Sequence, residues 1–331
     1  MDNPTADHIA QLKAEIDKDP MSEEARVRLL QEFLGEPLRY DDPLRIEQIR
    51  WLLQHRPRHP VCATPFVAVD PESAPVAYAE LKAMWLRHVA EAPTDVKLVR
   101  GAAAFIAKES TDEGKALIRS ALTRLPDAAA LWFDLGRISR DPGERLAAYE
   151  KAREFGEQNS NLLVWIAETA FEAGEFAKAQ RAADELIALV DEARARYGDK
   201  LDWTERGRDI WLRAREVSAC SDEASEIVDA IAQHGYRKHW AHTVLGLLAC
   251  RDEDVDRAIF HLRESANLRP DYRLSSYGPS GDLLRQVCIR GRWEDALIYV
   301  GAWENTWDDE RLEQWTGAVM ERRVPGIAEG T

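Results

Sequence analysis

One feature constrains this 331-residue chain more than any other: a pattern of small and large residues that returns after 34 positions. From Leu98 to Pro126 the pattern reads Leu98, Gly101, Ala102, Phe105, Gly114, Ile118, Ala121 and Pro126. It restarts at Trp132, with Leu135 and Gly136 on schedule, then Tyr149 and Ala152 after a shortened turn at "RDPGE". A third unit has Leu163, Ala167 and Ala170, followed by "AGEFAKA" from Ala173 to Ala179. A fourth runs ungapped from His242 to Pro270 through Leu245, Gly246, Ala249, Ala258, Leu262 and Ser265. A last copy follows "RGRWEDA", where Gly291, Trp293 and Ala296 repeat the spacing of Gly174, Phe176 and Ala179. Such a period specifies one supersecondary unit, used several times. The small residues let two helices approach, and the large ones fill the space between successive hairpins. No single hairpin buries its own apolar face, so neighbours must stack.

The spacing is that of the tetratricopeptide repeat, and over residues 76–307 the chain resembles that superfamily. The expected fold is all-α: a right-handed α-solenoid of helix hairpins with capping helices at both ends. Residues 1–40 are read as N-terminal capping helices, over Ala6–Asp17 and Glu23–Leu34, with Ser22 as N-cap of the second. Residues 41–93 form a first hairpin, opened by Asp42 as N-cap and Pro43 at N1. Its two helices are joined by residues 57–75, which hold five of the chain's 15 prolines. So long a connection is unusual inside a compact repeat and is expected to lie extended against the stack. Residues 94–307 are the repeats, with a divergent hairpin near 200–235, and residues 308–331 are a C-terminal capping helix and tail. A narrower resemblance, to bacterial repeat proteins of no established activity, rests on "IRWLLQHRP", "CATPF", "AYAELKAMWL" and "SSYGPSGDLL". It implies a cytoplasmic bacterial protein, and the superfamily implies a protein or peptide partner held in the groove. The superfamily's carboxylate clamp is missing: the corresponding positions hold Val99 and Ala103, then Phe133, Asp134 and Arg137.

Charge and motifs narrow the chemistry. The formal net charge is −15, from 59 acidic and 44 basic side chains. That balance opposes nucleic acid, which is bound through clustered Lys and Arg. The basic cluster of Arg45, Arg50, Arg56 and Arg58 beside His55 and His59 is read as a solvated helix face and loop. The longest nearly apolar stretch, "WAHTVLGLLAC", is far short of a membrane span, and the polar, acidic N-terminus is no secretory signal. Cysteines 62, 220, 250 and 288 are scattered without a CxxC pair, as in a reducing compartment.

No catalytic residue, metal ligand or cofactor is expected. Asp252, Asp254 and Asp256 open like a calcium loop, but Arg257 and Arg263 stand where Gly and Glu are required. His239, His242 and Cys250, like His55, His59 and Cys62, fall short of a four-ligand zinc set. "SSYGPSGD", Ser275 to Asp282, lacks both the phosphate-loop lysine and the strand of a nucleophile elbow. It is read as the entry to a helix starting near Asp282, with Ser280 as cap and Gly278 in the turn. Trp303, Trp307, Leu312, Trp315 and Val319 are expected to dock a terminal helix on the last repeat.

Concave positions follow from the register of each first helix. They are Val96, Val99, Ala103 and Ile106; Phe133, Arg137 and Arg140; Asn161, Glu168, Phe171 and Glu172; and Trp240, Thr243, Leu247 and Arg251. This mixture of apolar anchors and charges suits a peptide or partner helix, unless the proline-rich insert fills the groove itself. The leading expectation is a protein- or peptide-binding interaction module, an adaptor or scaffold. The alternative is a ligand- or peptide-sensing regulator, and an enzyme is third. The oligomeric state and the partner's identity stay open.

Overall fold

In the computed structural model the described residues are 4–33, 41–157, 159, 161–197, 222–267, 274, 278–304, 307 and 309–326. They form helices and no strand, in two compact units, Met1–Glu157 and Gln158–Thr331.

The first unit is a run of antiparallel hairpins. α1 (Pro4–Lys18) pairs with α2 (Glu23–Glu32), α3 (Pro43–His55) with α4 (Pro75–Glu91), α5 (Val96–Ile106) with α6 (Thr111–Leu122), and α7 (Ala129–Ile138) with α8 (Pro142–Glu154). Helix starts follow the expected chemistry. The Ser22 hydroxyl accepts the Ala25 N–H, and the Asp42 carboxylate accepts the Leu44 N–H at 2.9 Å with Pro43 at N1. Asp95, Ser110 and Asp141 cap α5, α6 and α8 likewise. The small repeat positions are sites of close approach: a Cβ on Gly101 would strike the Trp85 indole, and one on Gly136 the Tyr149 ring. One core cluster runs through α3–α7 with Trp85 at its centre, fully buried.

Ion pairs join successive hairpins in the repeat's own register. Arg100 Nε donates to Asp134 at 2.6 Å across 34 residues, one repeat on, and Glu144 of α8 pairs with Lys115 and Arg119 of α6.

The 57–75 connection is folded rather than extended. Two 3-10 turns, Pro60–Ala63 and Pro65–Val67, bury Val61, Cys62, Val67, Ala68 and Val69. Their N-caps are His59, whose Nδ1 accepts the Val61 N–H, and Thr64. The first turn packs on α5, and buried Arg45 donates to the Phe66 carbonyl at 2.9 Å. The basic cluster is accordingly split. Arg45 is internal, while Arg50, Arg56 and Arg58 pair with Glu80, Glu23 and Asp95.

The second unit begins with α9 (Leu162–Glu172) and α10 (Phe176–Tyr197). Residues 198–221, with Cys220, Trp203 and Trp211, lie outside the described residues, as does the first half of the divergent hairpin. Its second half differs from the expectation. "DEASEIVDAIAQ" continues unbroken into the first helix of the next repeat as α11, the 30-residue helix Asp222–Arg251. No proline and only two glycines interrupt that stretch, and nothing in it forces a break. α12 (Val255–Ala266), capped by Asp254, completes the hairpin. α13 (Asp282–Ile289) and α14 (Trp293–Trp303) form the last one, and α15 (Glu310–Met320) packs on α14. The terminal docking occurs as the apolar spacing predicts: Trp303, Trp307, Leu312 and Val319 are buried, and Trp307 packs on Trp315 with the rings tilted at 58° and centroids 5.4 Å apart.

Candidate functional site

Six of the eight concave positions expected in the second unit meet at one cleft. Glu168, Phe171 and Glu172 come from α9, and Trp240, Thr243 and Leu247 from α11. α13 closes the third side with Asp282, Arg285 and Gln286, residues that the repeat pattern did not single out. The volume is about 250 Å³. The repeat register explains the meeting: positions one or two turns apart along each first helix share a face, and three such helices stand side by side.

The cleft is apolar with an acidic rim. Phe171, Trp240 and Leu247 are half-buried, whereas Glu172 and Asp282 are exposed. Arg285 is the one cation lining it; its nearest carboxylate is Asp282 at 3.8 Å, and its Nε donates to the Pro325 carbonyl. Aromatic packing stiffens one wall. Phe171 meets Phe176 edge-on at 5.7 Å, and the Arg251 guanidinium lies 4.0 Å over the Phe176 ring. Arg251 is therefore a supporting residue and does not line the cleft. Asn161 also lies outside it, as the residue preceding α9, with its backbone N–H on Asn159.

Two expected groove residues are corrected by burial. Val99 is fully buried in a core cluster that also contains Val61, Cys62 and Val67 of the insert, together with Ala103 and Ile106. In this unit the concave face of α5 is covered by the chain itself. Phe133 is buried against Tyr149, with ring centroids 6.0 Å apart, and serves packing. Thr243 is largely buried, its hydroxyl donating to the His239 carbonyl at 2.9 Å, and it lines the cleft as expected. Arg137 and Arg140 stay exposed, but line a different cavity, beside the insert.

"SSYGPSGD" resolves as a structural junction; Ser275–Tyr277 lie outside the described residues. Gly278 has φ +76°, and a Cβ there would run into Trp307. A Cβ on Gly281 would stand 2.7 Å from Trp315. Both glycines are therefore seats for the tryptophans of the terminal segment. The N-cap is Gly281, one residue later than expected, and the Ser280 hydroxyl accepts the Asp282 N–H at 3.3 Å. His239 is fully buried, its Nε2 accepting the Ser280 backbone N–H at 3.0 Å and its Nδ1–H donating to the Ser265 carbonyl at 2.9 Å. The histidine thus engages the serine's amide, not its hydroxyl, so the pair makes no nucleophile.

His242 shares a 2.9 Å Nδ1–Nδ1 hydrogen bond with His261, a link between α11 and α12 that the sequence spacing does not reveal. Burial pushes His239, His242 and His261 down to about 4. Buried Cys62, Cys250 and Cys288 are free thiols, and burial pushes Cys62 up to about 12 and Cys288 to about 11.

The fold and cleft define an all-α protein of stacked helix hairpins. No protein-family profile and no curated protein matches the chain. Among solved structures it is similar to the tetratricopeptide-repeat domain of P58(IPK), at 13% identity over 96% of this chain and 93% of that one, with a TM-score of 0.18. Among the described residues, no helix is long and apolar enough to cross a membrane.

Proposed function

We propose that the chain is a peptide-binding interaction module whose recognition site is the α9–α11–α13 cleft. The favoured occupant is an extended or helical segment that places an aliphatic or aromatic side chain beside a Lys or Arg. The observation that carries this reading is the convergence of Glu168, Phe171, Glu172, Trp240, Thr243 and Leu247, positions picked out by repeat register, on one cleft. Its size agrees. At about 250 Å³ it falls below the usual range for a small-molecule site and suits one or two side chains of a longer ligand. Its charge agrees as well, because Glu168, Glu172 and Asp282 outnumber Arg285 and complement a cation.

The test is selection from a random-peptide library displayed on phage, using the full chain and a Glu172→Lys/Leu247→Lys variant with an unchanged helical signal. Enriched peptides should carry a basic residue next to an apolar one and bind the variant at least about tenfold more weakly, the loss expected of a central contact. Peptides that bind both proteins equally would place recognition elsewhere, and an absence of enrichment would refute the peptide-binding reading.

A further inference from the structure

The first unit contains a second, larger cavity of about 580 Å³, and its charge is opposite to that of the cleft. Its walls are the folded insert, the C-terminal parts of α5 and α7 with the turns that follow them, and residues of α6 and α8. Four cations line it, Lys108, Arg137, Arg140 and Arg145, against one carboxylate, Asp134. That carboxylate is already engaged: it accepts from Arg100 at 2.6 and 3.4 Å, and Arg137 approaches it at 3.5 Å. Lys108 and Arg140 are exposed and make no ion pair or side-chain hydrogen bond among the described residues. Thr111, the first residue of the twelve-residue α6, also faces the cavity, while Asp112 and Glu113 in the same first turn offset the positive end of that helix. The remaining wall is apolar, from Pro65 and Val67 of the insert, Phe105 and Ile138.

We propose that this cavity binds a small organic anion, a phosphate or carboxylate carried on an apolar body of several carbons. The cations supply charge-assisted hydrogen bonds to the anionic end, and Arg can give two at once to either group. The insert supplies the apolar wall. The volume lies within the range of small-molecule sites, unlike that of the cleft. The site does not depend on peptide binding, being built entirely from residues 62–145.

The experiment is isothermal titration of the full chain at low salt with octyl phosphate, octanoate, inorganic phosphate and octylammonium, each below its micellar concentration. Octyl phosphate or octanoate should saturate a single site, and whichever binds better names the anionic group. Inorganic phosphate should bind about tenfold or more weakly for lack of the apolar contact, and octylammonium should not saturate. Arg140→Ala and Lys108→Ala should each weaken binding about tenfold, the worth of one charge-assisted hydrogen bond, with the helical signal and melting temperature intact. Arg140→Lys should restore part of the loss. Equal binding of octylammonium and octyl phosphate would overturn the proposal. So would the absence of saturation by either amphiphilic anion, or undiminished binding by both alanine variants.

Discussion

Lowering the pH from 7 to 5 should loosen the α11–α13 region while leaving α5–α8 intact. His239 is fully buried, and both ring nitrogens are committed, Nε2 as acceptor from Ser280 N–H and Nδ1–H as donor to Ser265. A second proton would set one N–H against another. Burial is the main cause that holds the imidazole near 4 rather than its usual value of about 6.5. The unfolded chain takes up a proton below about 6.5 and the folded chain refuses it until about 4. Stability is therefore complete above 6.5 and declines as pH falls towards 4. For one such site the loss between pH 7 and 5 is about 2 kcal/mol. His242 and His261 are depressed in the same way, with Lys238 and Arg257 adding to burial and Glu264 opposing it. Their shared Nδ1–Nδ1 bond already holds one proton, and a further one can sit on the donor ring's Nε2 without breaking it, so together they add at most about as much again. The native carboxylates held low, Glu264 among them, contribute losses only below about 4.5 and leave this window to the histidines. No histidine occurs between Val96 and Glu154, which makes α5–α8 an internal control. Hydrogen exchange read by mass spectrometry, corrected for intrinsic rates, should show peptides from α11–α13 losing protection at pH 5 and those from α5–α8 keeping it. His239→Phe should be less stable at pH 7, with Ser265 and Ser280 unpaired, and should show a shallower pH dependence. Equal protection of α11–α13 at both pH values, or the same slope in His239→Phe, would refute the reasoning.

Gly278→Ala and Gly174→Ala should separate backbone strain from packing. Both glycines have positive φ, +76° and +75°, but only at Gly278 would a Cβ meet another side chain, Trp307. Gly174→Ala should cost about 1–2 kcal/mol of strain, and Gly278→Ala about 1–3 kcal/mol more for displacing the indole. Urea unfolding followed by tryptophan fluorescence measures the difference, and equal costs would remove Trp307 from the account. Phe133→Ala should lose about 3–5 kcal/mol as a buried aromatic truncation, so a lower melting temperature rather than a specific binding defect is the expected result. An unchanged melting temperature would return Phe133 to the groove.

The hairpins were legible because their determinants are local. Small residues such as Gly101 and Gly136 stand where Trp85 and Tyr149 press, and Asp42, Asp95 and Asp141 stand where helices begin. Register alone was enough to bring Phe171, Trp240 and Leu247 together. What escaped sequence reasoning depends on tertiary placement. Nothing near Val99 announces that an insert some forty residues upstream will fold onto α5 and join the same core, and the prolines of that insert suggested an extended stretch of chain. Pro60 and Pro65 instead start 3-10 turns, where a missing N–H costs nothing. The ion pair of Arg100 with Asp134 was available as a signal, since opposite charges exactly one repeat apart occupy equivalent places on neighbouring helices. The seat that Gly278 offers Trp307 was not, because the partner arrives from beyond the next two helices.

One repeat thus yields two unlike concavities, and the cause is what fills the concave positions. In the first unit those positions on α5 are small or aliphatic, Val99, Ala103 and Ile106, and they are buried in the same core cluster as Val61, Cys62 and Val67 of the insert, whose first turn packs on α5. Each such side chain removed from water contributes roughly 1.5–3 kcal/mol, which outweighs the ordering of a short connection already stiffened by proline. The cavity of this unit is lined by the insert together with Arg137 and Arg140. In the second unit the equivalent positions carry Glu168, Glu172 and a half-buried Trp240, a surface that no comparable insert among the described residues covers. Burying those carboxylates against an apolar connection would be costly, so this face is not one that such a connection would cover. The acidic cleft and the basic cavity are therefore consequences of the same stacking rule, separated by which residues the concave positions happen to carry.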